Sequence, residues 1–156
     1  MVQVTYQLAT EPETFATAKQ LILDYSVSLG LDLSFQHFDD ELKRLTVEYA
    51  APHGALILAR VEGKPAGVIA VHQFKDSVAE MKRLYVNPAY RELGIGRQLV
   101  TRLLKVAKQL GYQAIRLDTL PTMKGAQKLY ASVGFKTIEA YRFNPVAGTV
   151  FLECQL

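Results

Sequence analysis

Two hydrophobic periods meet across one short glycine-bearing loop, and that junction constrains this chain more than any other stretch. Met81-Lys82-Arg83-Leu84-Tyr85-Val86 alternates polar and apolar residues as a strand does, and Asn87-Pro88 ends it, because proline has no N–H to extend a ladder. Beyond the loop, Ile95, Leu99, Leu103, Ala107 and Leu110 recur at helical spacing, with Val100, Leu104 and Val106 widening the stripe. Arg97, Arg102, Lys105 and Lys108 take the other faces, and Gly111 offers a stop. The loop reads Arg91-Glu92-Leu93-Gly94-Ile95-Gly96. Two glycines there let a ligand approach the backbone, and the first-turn N–H groups point at it, so the element favours a diphosphate. A glycine-permitted helix entry with solvated arginines is the plainer alternative. A Rossmann fingerprint is excluded because Leu99 stands where the third glycine belongs, and a P-loop because no Gly-Lys-Ser/Thr follows.

A chain of 156 residues suits one domain, 1–156, with a continuous core. With 49% hydrophobic and 21% charged residues it reads as globular, and no apolar run approaches the ~20 residues that span a bilayer. The first residues lack a secretory signal, and a single cysteine, Cys154, forbids an internal disulfide, so a reducing cytoplasm is expected. Cys154 lies in an alternating segment and reads as a small core residue. A net charge of +3, dispersed and not interleaved with aromatics, argues against nucleic-acid binding. His37, His53 and His72 have no metal-ligand spacing, so no metal is expected.

The remaining pattern predicts a strand over 2–9 and a helix from Glu11-Pro12-Glu13 carrying Phe15, Ala18, Leu21, Ile22 and Tyr25, interrupted at Gly30. Phe38, Leu42, Leu45 and Tyr49 predict a second helix. Strands over 55–61 and 66–74 flank the hairpin Glu62-Gly63-Lys64-Pro65, and the next strand covers 78–86. The helix at 94–110 precedes a strand over 113–120, a short helix over 122–132 and strands near 135–139 and 149–156. Hairpins followed by a strand–helix–strand crossover predict an α/β (mixed α+β) fold. Its central mixed, largely antiparallel sheet has six to seven strands flanked by about four helices.

Arg91-x-x-Gly94-x-Gly96 after a strand, followed by Leu129-Tyr130 and Gly134-Phe135, resembles the GCN5-related N-acetyltransferase (GNAT) superfamily from Gly54 onward. The resemblance implies an acetyl-CoA-dependent N-acetyltransferase, with the coenzyme A pyrophosphate on Arg91, Glu92, Leu93, Gly94, Ile95, Gly96 and Arg97. It also implies a splay between strands 78–86 and 113–120 that admits the pantetheine arm along Leu84, Tyr85 and Val86. The Leu84 amide would face the thioester carbonyl. Glu80, eleven positions before Arg91, matches the family's glutamate base. A substrate amine with pKa near ~10.4 needs such an acceptor, and a half-buried carboxylate can be raised toward neutrality. An edge residue pairing with Lys82 is the plainer reading of Glu80. Tyr130 matches the tyrosine beside the sulfur, as the acid for the leaving thiolate; an aromatic packing residue is the alternative.

One departure is Met123, where many members carry asparagine, leaving Lys124 or Lys128 as candidates for the 3′-phosphate. His72 reads as a satisfied core or edge histidine, although it could face the cleft. Asp118-Thr119 lines the acceptor site or forms a turn before Pro121, and Tyr141-Arg142-Phe143-Asn144-Pro145 walls the acceptor pocket or is simply a loop. Phe35, His37 and Phe38 suggest an aromatic wall or helix packing, and the acids Asp32, Asp39, Asp40 and Glu41 cannot be placed facing it. The expected acceptor is a primary amine on a small molecule or peptide, with direct transfer and, by family habit, a homodimer. A non-catalytic coenzyme A-binding or sensing module is the alternative.

Overall fold

The computed structural model describes residues 2–30 and 38–156. In chain order they form β1 (Val4–Leu8), α1 (Pro12–Leu29), α2 (Phe38–Lys43), α3 (Leu45–Glu48), β2 (Ala55–Val61), β3 (Lys64–Lys75) and β4 (Val78–Val86). A 3₁₀ turn (Pro88–Tyr90) leads to α4 (Ile95–Gln109), β5 (Ala114–Thr119), α5 (Lys124–Ser132), β6 (Lys136–Ile138) and β7 (Val150–Gln155). The strands make one seven-stranded sheet in the order β1-β2-β3-β4-β5-β7-β6. Of these strands only β4 and β5 pair in parallel, an arrangement that requires a crossover connection, here through α4.

The continuous apolar runs of β2 and β3 follow from burial on both faces. Ile57, Ile69, Val71 and Met81 meet the stripe of α4 (Ile95, Leu99, Leu103, Ala107), while Leu56, Leu58, Val68 and Ala70 meet Phe15, Ala18, Leu21 and Ile22 of α1 and Leu45 beside them. Each large apolar side chain buried this way contributes ~1.5–3 kcal/mol. Gly67 allows α4 to close on β3: a Cβ there would stand 3.1 Å from the Tyr85 carbonyl oxygen and 3.2 Å from side-chain carbons of Ile95 and Leu99.

Two features differ from the sequence expectation. The helix expected across Phe38 and Tyr49 is two short helices, parted at Arg44 with φ −111° and ψ 18°; Leu45 and Tyr49 still reach the core. Around the expected 78–86 strand, Ala70 pairs Lys82 but Val68 pairs Tyr85, so β4 carries one extra residue, a β-bulge, with Arg83 at φ 63°.

Candidate active site

β4 and β5 pair over Val78↔Ala114, Ala79↔Ile115 and Glu80↔Arg116, and there the ladder stops, although β4 continues to Val86 and β5 to Thr119. The expected splay is therefore present. It opens a cleft of about 700 Å³ between the two strand ends, closed by the loop before α4, the start of α5 and the last turns of α1. Leu84, Tyr85 and Val86 all border it, in the part of β4 that has no strand partner on the β5 side. The bulge sits in this lip. A non-glycine residue at positive φ costs ~1–2 kcal/mol, and Arg83 is held there by a buried two-point pair to Glu41, Nε–Oε2 2.7 Å and Nη2–Oε1 2.9 Å.

At the other end of the cleft the helix start has the expected form. Gly94 caps α4 in the left-handed region, φ 74°, with no side chain bonded over the helix end and no acid in the first turn. Gln98 N–H donates to the Gly94 carbonyl, so the amides of Ile95, Gly96 and Arg97 have no helical acceptor. Arg91, Glu92, Gly94, Ile95 and Gly96 border the cleft. Arg97 and Leu93 do not: Arg97 Nη2 donates to Ser132 Oγ at 2.8 Å, which ties α4 to α5, and Leu93 is exposed on the outside of the loop. This set of open amides, small residues and one arginine fits a diphosphate, and the gap above it fits an extended thiol arm.

Glu80 lies elsewhere than its reading as a base would place it. The sequence leaves two readings open, a half-buried cleft carboxylate with its pKa raised toward neutrality and an exposed edge residue pairing with Lys82 or a neighbouring strand. Glu80 is instead almost fully enclosed and does not border the cleft. Its Oε1 accepts from His72 Nε2 and Arg142 Nη2, both at 2.8 Å, and its Oε2 from the Tyr141 hydroxyl at 2.8 Å. Burial pushes the carboxyl upward, but the His72 bond and the charges of Lys82 and Arg142 more than offset it and hold its pKa below the ordinary value. His72 proves to be the satisfied histidine, its Nδ1 lying 2.9 Å from Glu48 Oε1. A neutral imidazole can donate to only one of two flanking carboxylates. Although burial opposes it, the bonds to Glu48 and Glu80 accordingly raise the His72 pKa.

Tyr130 is buried from solvent yet borders the cleft, and its hydroxyl has no hydrogen-bond partner among the described residues. Burial, then the neighbouring Tyr25 and Asp118, push its pKa far above the tyrosine range, so it remains a donor. Met123 also borders the cleft, with Gly125 and Ala126 behind it; Lys124 and Lys128 are exposed and stand outside the cleft.

The opposite mouth is walled by Tyr25, Ser28 and Leu29 of α1, Lys82 and Arg83 of β4, Asp118 of β5 and Asn144 of the connector. Asn144 Nδ2 donates to Asp118 Oδ2 at 3.1 Å, so both segments left open by the sequence border the site. Phe38 lies beneath Arg83, whose Cζ is 5.0 Å from the ring centroid, while Phe35, His37 and Asp32 fall outside the described residues. Tyr25 reads in the sequence only as a helix-face residue, and Lys82 only as a partner for Glu80. Their signal is weak because a cleft-facing polar residue at the end of an apolar stripe looks like the stripe's margin.

Among the described residues, no group of His, Cys, Asp and Glu is arranged to hold a metal ion, and no helix is long and apolar enough to cross a membrane. The profile of the acetyltransferase (GNAT) family matches residues 19–135. An uncharacterised N-acetyltransferase of Schizosaccharomyces pombe is 41% identical over 147 residues, 93% of this chain and 90% of that protein. A Staphylococcus aureus acetyltransferase of the GNAT family superposes with a TM-score of 0.77 at 19% identity, covering 97% of this chain and 99% of the other. A Salmonella typhimurium protein solved with its cofactor acetyl-CoA gives 0.71 at 17% identity, covering 98% and 94%. The uncapped helix start, the parted strands and the sequence matches converge: the chain belongs to the GNAT family of N-acetyltransferases.

Proposed function

We propose that this protein transfers an acetyl group directly from acetyl-CoA to a primary amine bound at the α1 side of the cleft, without a covalent enzyme intermediate. The observation that carries this reading is a continuous cleft with an open anion site at one end and ionisable groups at the other. Acetyl-CoA supplies the activated acyl group. The amides at the α4 start and Arg91 hold its diphosphate, and the amide of Leu84, in the unpartnered lip of β4, polarises the thioester carbonyl. Tyr130 donates its hydrogen bond to the departing sulfur. Its raised pKa makes it a firm donor and a poor acid, so its part is stabilising the thiolate rather than surrendering a proton.

The amine arrives charged and must lose a proton. Glu80 is saturated by three donors and lies behind the cleft wall, so its work is fixing Arg142, Tyr141 and His72 beneath the site. Asp118 is a carboxylate that borders the cleft, close enough to Tyr25 and Tyr130 to shift both. We assign it the ammonium and the proton that must leave before the nitrogen can attack; the second nitrogen proton, acidified by bond formation, goes to the departing thiolate. Acceptor-dependent release of coenzyme A thiol tests the reading. Turnover should require an added amine and fall ~10²-fold or more in Asp118→Asn. Release that no amine stimulates would leave only a coenzyme A-binding module.

A further inference from the structure

Glu80 and Arg116 form the last pair of the parallel β4–β5 ladder, so Lys82 and Asp118 are the next two positions on the same face. In a continued ladder they would neutralise one another across the strands. The splay prevents this, and no ion pair joins them. Among the described residues, the other charges nearby are already matched. Arg83 takes both oxygens of Glu41; Arg142 and His72 meet Glu80, with Glu48 on the far side of His72; Arg116 meets Glu153 Oε2 at 2.6 Å. Lys82, with a side chain only 7% exposed, has one long ion pair, to Glu41 Oε1 at 3.7 Å, beyond hydrogen-bond reach and to an oxygen shared with Arg83. Asp118 has the neutral amide of Asn144. One buried cation and one carboxylate thus face a shared gap, neither hydrogen-bonded to an opposite charge among the described residues.

From this geometry we infer that the acceptor is a zwitterion, a free amino acid whose carboxylate is held by Lys82 while its ammonium meets Asp118. The inference rests on the acetyl-transfer reading and names the substrate class of the same site. Burial and the neighbouring Arg83 disfavour the charge at Lys82, Glu80 and Glu41 offset this only in part, and a bound carboxylate relieves the remaining cost while hydrogen-bonding to the ammonium. A diamine or polyamine would bring a second cation against Lys82 and is disfavoured there. Balance is kept: the ammonium gives one proton to Asp118, the neutral nitrogen bonds the acetyl carbon as the C–S bond breaks, and the second nitrogen proton goes to the departing thiolate, which leaves as coenzyme A thiol.

The test is a thiol-release panel in which each L-amino acid is paired with its decarboxylated amine and its carboxamide, run beside calorimetry of acetyl-CoA binding. The expected result is kcat/KM for at least one amino acid ~10-fold or more above both of its partners, as one charge-assisted contact provides. In Lys82→Met that preference should fall to near unity through KM, and Lys82→Arg should restore part of it. If Lys82→Met does not fold, Lys82→Gln gives the same comparison. Equal turnover of amino acids and their decarboxylated amines, a preference that survives loss of the Lys82 charge, or acetyl-CoA binding with no panel member acetylated would overturn the zwitterion assignment. Failure of acetyl-CoA to bind would instead remove the transferase reading beneath it.

Discussion

Lys82 and Asp118 hold matching places on β4 and β5, one same-face step past the final pair of their ladder, and both line the cleft without bonding to each other. Separation of two charges that a regular sheet would join gives the site both a cationic and an anionic wall. Glu80, two residues away on the same face, ends up in the opposite situation, with both oxygens engaged.

That contrast predicts different phenotypes for the two acids. Asp118→Asn should depress kcat while leaving the melting temperature nearly unchanged, because its side-chain bond is to another amide. Glu80→Gln should instead destabilise the fold by ~3 kcal/mol, since it removes the buried counter-charge of Arg142 and leaves His72 with Glu48 alone. Steady-state kinetics with denaturant unfolding on both variants separates them, and the reverse pattern would return the proton acceptor to Glu80.

Stability should depend on pH through the Glu48–His72–Glu80 chain. The folded pKa of His72 is raised, so its contribution is complete below the ordinary value of ~6.5 and is lost as pH rises through the folded value. The hydrogen bond from His72 lowers Glu48, and Glu80 is also lowered, so their contributions are present above ~4.3 and lost as pH falls. Denaturant midpoints measured from pH 4 to 9 should peak between these limits. His72→Gln should remove the decline on the alkaline side; an unchanged alkaline limb would assign it elsewhere.

Gly96→Ala should act in opposite directions on fold and affinity. A Cβ there meets Leu129 at 3.6 Å and Val86 at 3.9 Å, ordinary contact, and alanine favours a helix over glycine by ~0.5–1 kcal/mol. The added methyl nevertheless enters the cleft wall where a diphosphate must approach the backbone. A slightly higher melting temperature with acetyl-CoA affinity weakened ~10-fold is expected; unaltered affinity would place the phosphates elsewhere.

Tyr130→Phe removes a hydroxyl that bonds nothing among the described residues, so stability should hold while kcat falls ~10-fold from one lost hydrogen bond to sulfur. Thermal melts and steady-state turnover check the two halves together. A variant with undiminished kcat would take the hydroxyl out of the reaction.

The strand–loop–helix junction was legible because its signals are local: the period changes from two to about 3.6 and glycine marks the turn. The alternation of β2 and β3 was masked by burial on both faces, yet the hairpin glycine located them. The bulge at Arg83 was not legible, because a left-handed arginine is held by Glu41, 42 residues away in sequence. Nor was the environment of Glu80, whose partners Tyr141 and Arg142 lie 61 and 62 residues on. Its place in the strand was readable; the donors that hold it ionised were not. The placing of Lys82 and Asp118 in one cleft depends on where two strands stop pairing, which no single segment encodes.

Isothermal titration calorimetry of acetyl-CoA into the intact chain tests the central claim most directly. One-site binding that free coenzyme A competes away, and that weakens in Gly96→Ala, is the predicted result. Absence of binding heat, with no competition by coenzyme A, would contradict a diphosphate seated on the open amides of α4.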